Sequence, residues 1–330
     1  MCSWINNKVV CSGFTLLFFV AASACGNATP PPLTSISLQL NRPHGAAFAG
    51  FYAAVENGYS AEEGLNITFL EGGPSIDEIA LVVDGTAQLG VIAGDVLLLG
   101  RDEGKHVRAV ATILRHEPFV FFSLADSGIT RPEDFIGKKI LVSPNTIPRL
   151  HAMLGRVGIA PDQVIEVSTG DFTALYTGEI DVAGGALNST ILQVQRDGYK
   201  VNLIYLDNYG LHFYSDTLFA TDEFIAANPD MLTRFLRASF RRWTYVVENP
   251  ETVAAMVLKY DPNADSSFET AKMIATLPFV NTGEDYIGWM RPEIWEEMTS
   301  SLRDQGFLTS PLDATDVYTL KFIQQIYGGN

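Results

Sequence analysis

Residues 37–73 constrain the fold more than any other stretch of the chain. They open Ser-Leu-Gln-Leu-Asn-Arg-Pro-His-Gly and continue Ala-Ala-Phe-Ala-Gly-Phe-Tyr-Ala-Ala-Val-Glu-Asn-Gly-Tyr. They close Glu-Glu-Gly-Leu-Asn-Ile-Thr-Phe-Leu-Glu-Gly-Gly. Both ends alternate or run apolar, with β-branched and aromatic residues, which predicts two strands. Between them Phe48, Phe51, Tyr52 and Val55 recur at i, i+3, i+4 and i+7, one face of a helix over residues 46–57. Gly58 suits the left-handed cap of that helix. A strand–loop–helix–strand unit of this kind builds a parallel sheet. Ligands of such sheets sit beyond the carboxyl ends of the strands, which singles out the loop at residues 41–45.

With 330 residues the chain has room for two domains and a large core. Its formal charge of −16 argues against nucleic acid and against electrostatic docking on anionic lipid. Solubility alone accounts for such a charge.

Residues 1–24 read as a signal segment outside the fold. Lys8 is their only charged side chain, and the apolar run 14–24 is short for a membrane span but suits a signal h-region. It ends Ala22-Ser23-Ala24-Cys25-Gly26. Small residues before a Cys resemble a bacterial lipoprotein cleavage box, although Ala22 stands where Leu is usual. The cysteines are Cys2, Cys11 and Cys25, so cleavage leaves Cys25 alone, with no disulfide possible within the chain. Cys25 is therefore the expected lipidation site, carrying several acyl chains such as palmitate, since one chain anchors only marginally. A plain secretory signal is the alternative. Residues 25–35, with Pro30-Pro31-Pro32, serve as an extended tether.

Further along, residues 84–95 read Asp-Gly-Thr-Ala-Gln-Leu-Gly-Val-Ile-Ala-Gly-Asp, a buried strand followed by a helix for which Asp95 is the expected N-cap. Strands are expected at 107–114 and 118–124, with His116-Glu117 between them. Ile129-Thr-Arg-Pro-Glu-Asp-Phe-Ile-Gly-Lys-Lys-Ile-Leu-Val142 gives a short helix from Pro132, a stop at Gly137 and a strand. Thr177-Gly-Glu-Ile-Asp-Val-Ala-Gly-Gly185 leads to another helix, a strand over 201–206 and a return strand over 218–221. Pro229 opens a long amphipathic helix carrying Arg234, Arg237, Arg241 and Arg242, a solvated face paired with acidic neighbours.

Together these segments resemble binding proteins of the sulfonate, taurine and thiamine-pyrimidine group. The group's "Tyr-Val-Ala-x-Glu-x-Gly-Tyr-Phe-x-x-Glu-Gly-Leu" is matched by residues 52–65, with Ser60 in place of the Phe. Its "Ile-x-x-Pro-x-Asp-Leu-x-Gly-Lys" is matched by residues 129–138. The resemblance covers about residues 36–325. It implies an α/β, two-lobed, type II periplasmic-binding-protein fold with a ligand cleft between the lobes. Lobe 1 is expected at 36–115 plus 216–330 and lobe 2 at 116–215, with crossings near 116 and 215 acting as hinge. It also implies a substrate-binding lipoprotein of an ABC importer, lipid-anchored on the extracytoplasmic face of the cell membrane. Its partners would be a permease and its ATPase.

Enzyme chemistry is not indicated. The five His residues, at 44, 106, 116, 151 and 212, show no metal-ligand spacing, and no Cys lies in the folded part. Gly100-Arg-Asp-Glu-Gly104-Lys105 misses the spacing of a phosphate loop, and no Gly-x-Ser-x-Gly occurs. Fungal enzymes that make the thiamine pyrimidine share the group's fold but use a Cys cluster and histidines, for which this chain has no equivalent. No catalytic residue, cofactor or metal is expected.

For the ligand, pyrimidine-binding members carry Asp-Trp after the first strand, where this chain has Asn41-Arg42. They carry an aromatic-Glu pair where Ser189-Thr190 stands here. Arg42 suits an anion. The expected ligand-binding residues are Asn41, Arg42, Tyr52, Asp95, Asn145, Thr146, Asn188, Tyr209 and Tyr214. That largely polar, uncharged and aromatic set fits a flat neutral heterocycle, and the group's riboflavin-binding branch fits best. A thiamine pyrimidine precursor or small sulfonate-type anion is the alternative, and a pyrimidine-forming enzyme a distant third. Phe48, Phe51 and Tyr52, at helical spacing, also suit the core.

Overall fold

The structure, a computed structural model, describes residues 32–73, 75–283 and 285–328. The signal segment and Cys25 lie outside the described residues. The expected opening unit is present. Strand β1 (Thr34–Gln39) leads through a short 3-10 turn into the helix Ala49–Glu56 and on to β2 (Leu65–Leu70). The two strands pair in parallel, with Thr34 opposite Leu65. Gly58 adopts φ 78°, the left-handed conformation expected of it.

Eight more strands follow: β3 (Leu89–Ile92), β4 (Val107–Leu114), β5 (Phe119–Leu124) and β6 (Lys139–Leu141). Then come β7 (Ile165–Val167), β8 (Val182–Ala186), β9 (Val201–Tyr205) and β10 (Ser215–Thr221). They form two five-stranded sheets, ordered β2-β1-β3-β10-β4 and β7-β6-β8-β5-β9. In each sheet four strands run in one direction, and a single antiparallel strand sits between the third and the last of them. In the second sheet that strand is β5, which follows directly from β4 of the first. In the first sheet it is β10, which returns from β9. The chain therefore crosses between sheets twice, and the architecture is the two-lobed α/β fold.

The core explains the helix positions. Phe51 stacks on Phe235 of the long helix Pro229–Glu248, ring centroids 6.2 Å apart, and meets Trp243 edge-on at 5.8 Å. Gly50 permits this approach, because a Cβ there would lie 2.2 Å from Trp243 Cγ. The arginines of the long helix have local partners. Arg237 Nη1 sits 3.0 Å from Glu63 Oε2, and Arg242 lies over the Tyr59 ring at 3.3 Å.

Three local expectations change. The helix between β2 and β3, which the sequence predicts from Pro74-Ser75 through about Asp84, is shorter, Glu78–Val83, because Asp77 caps it by accepting from Ala80 N at 2.9 Å. Asp95 is not an N-cap; it lies inside the first turn of the helix Gly94–Asp102. The return strand begins at Ser215 rather than 218, and within it Asp216 takes φ 46°, rare outside glycine.

Candidate ligand-binding cleft

Parallel strands from both sheets point their carboxyl ends at one cleft of about 390 Å³. The segments after β1 (Asn41 to Ala47), β3 (Ala93), β6 (Asn145, Thr146) and β8 (Asn188, Ser189) line it. The first residues of the crossing strands, Phe119 of β5 and Ser215 of β10, close its floor. This is where open α/β sheets hold ligands, and the volume falls within the small-molecule range.

Of the expected residues, Asn41, Arg42, Asn145, Thr146 and Asn188 border the cleft. Asn41 Nδ2 donates to Asp216 Oδ1 at 3.1 Å, and Arg42 pairs with the other oxygen of Asp216. Thr146 Oγ1 accepts from Ser143 N at 2.7 Å, which fixes the turn into the helix Ile147–Arg156. Asn188 Nδ2 donates to Thr276 Oγ1 at 2.9 Å, joining the segment after β8 to the helix Ser266–Val280.

The other four lie elsewhere. Tyr52 is fully buried, stacked on Tyr260 at 4.3 Å, and its hydroxyl is 2.9 Å from His44 Nδ1. Burial pushes its phenol up, well above the usual range. Tyr214 is buried beside Trp295, and its hydroxyl accepts from Arg291 N at 2.7 Å. Tyr209 lies in the short turn Asp207–Tyr209 on the second crossing, half-buried and outside the lining. Asp95, 1% exposed, sits outside the lining and holds Arg149 in a fork, with Nε to Oδ2 at 2.7 Å and Nη2 to Oδ1 at 3.0 Å.

Charged residues that pattern reading did not select also border the cleft: Glu78, Glu117, Arg149 and Lys272. The lining is therefore less neutral than expected. Arg149 Nη1 is 3.0 Å from Glu117 Oε2, and its guanidinium lies over Phe119 at 5.2 Å and Phe213 at 5.4 Å. Burial pushes the Glu117 carboxyl up to about 7; Arg149 opposes this, while Asp95 and Asp216 add to it. Glu78 is likewise pushed up to about 7 by burial. The signal for Glu117 was its place on the first crossing, where a residue must face the gap between sheets. Arg149 had a weaker signal, being in the first turn of a helix that starts beyond β6. Among the described residues no cluster of three or more His, Cys, Asp or Glu suits a metal ion. No helix among them is long and apolar enough to cross a membrane.

Two mixed sheets, two crossings and a cleft between them define the class of two-lobed periplasmic binding proteins. The chain belongs to the family described as NMT1/THI5 like, whose profile matches residues 46–253. It is 24% identical to the riboflavin-binding protein RibY of Chloroflexus aurantiacus, over 93% of this chain and 96% of the relative. It is 23% identical to a formylaminopyrimidine-binding protein of Halalkalibacterium halodurans, over 94% and 98%. Among solved structures, the periplasmic aliphatic sulphonate binding protein SsuA of Escherichia coli superposes with a TM-score of 0.67 at 11% identity, covering 86% of this chain and 91% of that one. These relatives support a solute-binding role.

Proposed function

We propose that the chain is the solute-binding lipoprotein of an ABC importer and that it captures riboflavin. The observation that carries the solute-binding part is the cleft, lined by both sheets at the ends of their parallel strands. Similarity to RibY over nearly the whole of both chains supports the choice of ligand. In this reading Asn41 and Arg42 grip from one side, and Asn145, Thr146 and Asn188 from the other. The two crossings, near residues 116 and 215, act as hinge between lobe 1 (36–115 plus 216–330) and lobe 2 (116–215). Ligand touching both lobes favours the closed state, which the permease and its ATPase then engage. Cys25 carries the lipid that holds the protein at the extracytoplasmic face of the membrane. The protein binds without turnover.

One observation favours a second reading. Glu117 supplies a carboxylate at the cleft, a partner for the amino group of a thiamine pyrimidine precursor. Titration of the purified protein with riboflavin, followed by calorimetry and flavin anisotropy, tests the first reading. Stoichiometric binding at micromolar protein is expected. No heat and no anisotropy rise, with an aminopyrimidine binding instead, would replace riboflavin by the second ligand.

A further inference from the structure

Each Arg and Lys bordering the cleft already meets a carboxylate of the chain itself. Arg42 pairs with Asp216. Lys272 Nζ lies 2.5 Å from Glu269 Oε1. Arg149 is forked onto Asp95, approaches Glu117 and lies against two phenylalanine rings. Among the described residues, no guanidinium or ammonium bordering the cleft is left without a counter-charge.

Among the described residues that line the cleft, the buried side-chain atoms that make no hydrogen bond are acceptors. Glu117 Oε1 accepts from Phe119 N at 3.0 Å, whereas Oε2 makes no hydrogen bond, its contact with Arg149 being an ion pair without hydrogen-bond alignment. Asn41 turns its amide nitrogen to the Asp216 carboxylate, so its Oδ1 faces away, and that oxygen is buried without a partner. The charge balance points the same way. The side chains of Asp95, Glu117 and Asp216 are 1–2% exposed, against 7% for Arg149 and 40% for Arg42. Three deeply buried carboxylates thus share one buried guanidinium and one partly exposed one.

We infer that Glu117 sets the specificity of the cleft, turning away anions and favouring a ligand that brings N–H or O–H donors. This rests on reading the cleft as a solute site and narrows its ligand class. Above about pH 7, where Glu117 is ionised, an anion entering here meets cations that are already neutralised and a carboxylate that repels it, so nothing offsets the loss of its hydration. A neutral or cationic heterocycle with amino, imide or hydroxyl donors meets acceptors that are costly to leave unpaired once water is excluded. On this ground the chain differs in ligand class from the sulphonate-binding protein whose fold it shares.

The test is calorimetric titration of the purified protein with four probes at about pH 8.5, where Glu117 is ionised. Two are donor-bearing heterocycles, riboflavin and the hydroxymethyl aminopyrimidine of thiamine; two are anions, methanesulfonate and inorganic sulfate. At least one heterocycle should bind at micromolar concentration, and neither anion should bind up to millimolar concentration. Glu117→Gln keeps the shape and removes the charge; folded by circular dichroism, it should bind that heterocycle about tenfold more weakly. Micromolar binding of either anion overturns the inference. So does failure of both heterocycles, or unchanged heterocycle affinity in the folded variant. If the variant does not fold, the wild-type panel still decides. Aminopyrimidine binding without riboflavin binding defeats the riboflavin reading and leaves this one standing, while anion binding does the opposite to this one and leaves a solute-binding role.

Discussion

Arg149 and Asp95 lie 54 positions apart and meet in a forked, buried ion pair that joins the helix after β6 to the helix after β3. The pair ties one sheet's helix to the other's directly beneath the cleft. Removing Arg149 takes the buried counter-charge from both Asp95 and Glu117, and stranding a buried charge typically costs about 3–5 kcal/mol. Arg149→Ala should therefore lower the free energy of urea unfolding by roughly that amount. A loss under about 1 kcal/mol, the range of exposed pairs, would show that the fork carries no net weight.

Stability should also depend on pH through the two cleft glutamates. Glu117 and Glu78 are both raised to about 7 in the folded state, from an ordinary value of 4.5. The folded state then holds these protons more tightly than the unfolded chain. Their contribution is complete below about pH 4.5 and is lost as pH rises through about 7. Urea midpoints should fall between pH 5 and pH 8 (roughly the span of these titrations), and Glu117→Gln should flatten part of the slope. A midpoint that rises over this range would reverse the assignment.

Tyr214 and Asn41 should separate stability from binding. Tyr214 is buried against Trp295 with its hydroxyl satisfied, so Tyr214→Ala removes core and should cost about 3–5 kcal/mol, as aromatic truncations do. Asn41 borders the cleft, and Asn41→Ala should weaken ligand about tenfold. Its effect on the melting temperature should be the smaller of the two. Equal melting temperatures for the two variants would place Tyr214 outside the core energetics.

Cys25→Ser is expected to move the protein from the membrane fraction to the soluble fraction with ligand affinity unchanged. Fractionation followed by immunoblotting reads this directly. Stable membrane association of the serine variant would remove lipid as the anchor.

Periodicity made the opening unit legible, since Phe48, Phe51 and Tyr52 share a helical face and all three are buried. It placed Gly58 as a left-handed cap and Gly137 as a stop, and both take positive φ, because that conformation is a local property. Half of the cleft was legible for a similar reason: Asn41, Asn145 and Asn188 follow strands, and loops after parallel strands face the site. Arg149–Asp95 was not legible, because nothing local links residues so far apart. Tyr209 and Tyr214 were drawn toward the ligand by their chemistry, while packing on the second crossing decided their place. The start of β10 was hidden by Asp216, whose charge and positive φ look like a loop and whose carboxylate instead anchors Asn41 and Arg42.

The strand order carries a consequence for biogenesis. In the first sheet β10 is the strand that joins β4 to the others, and β10 is made about a hundred residues after β4. Until residues 215–221 have been synthesised, β4 has no neighbour and the sheet lacks an edge. Such distant pairing is slow, because loop closure must precede the contacts that reward it. The second sheet, by contrast, is built entirely from residues 119–205 and has all of its strands before β10 is made. The late return of one strand thus makes the first sheet, although it holds the first strand of the chain, the last of the two to close.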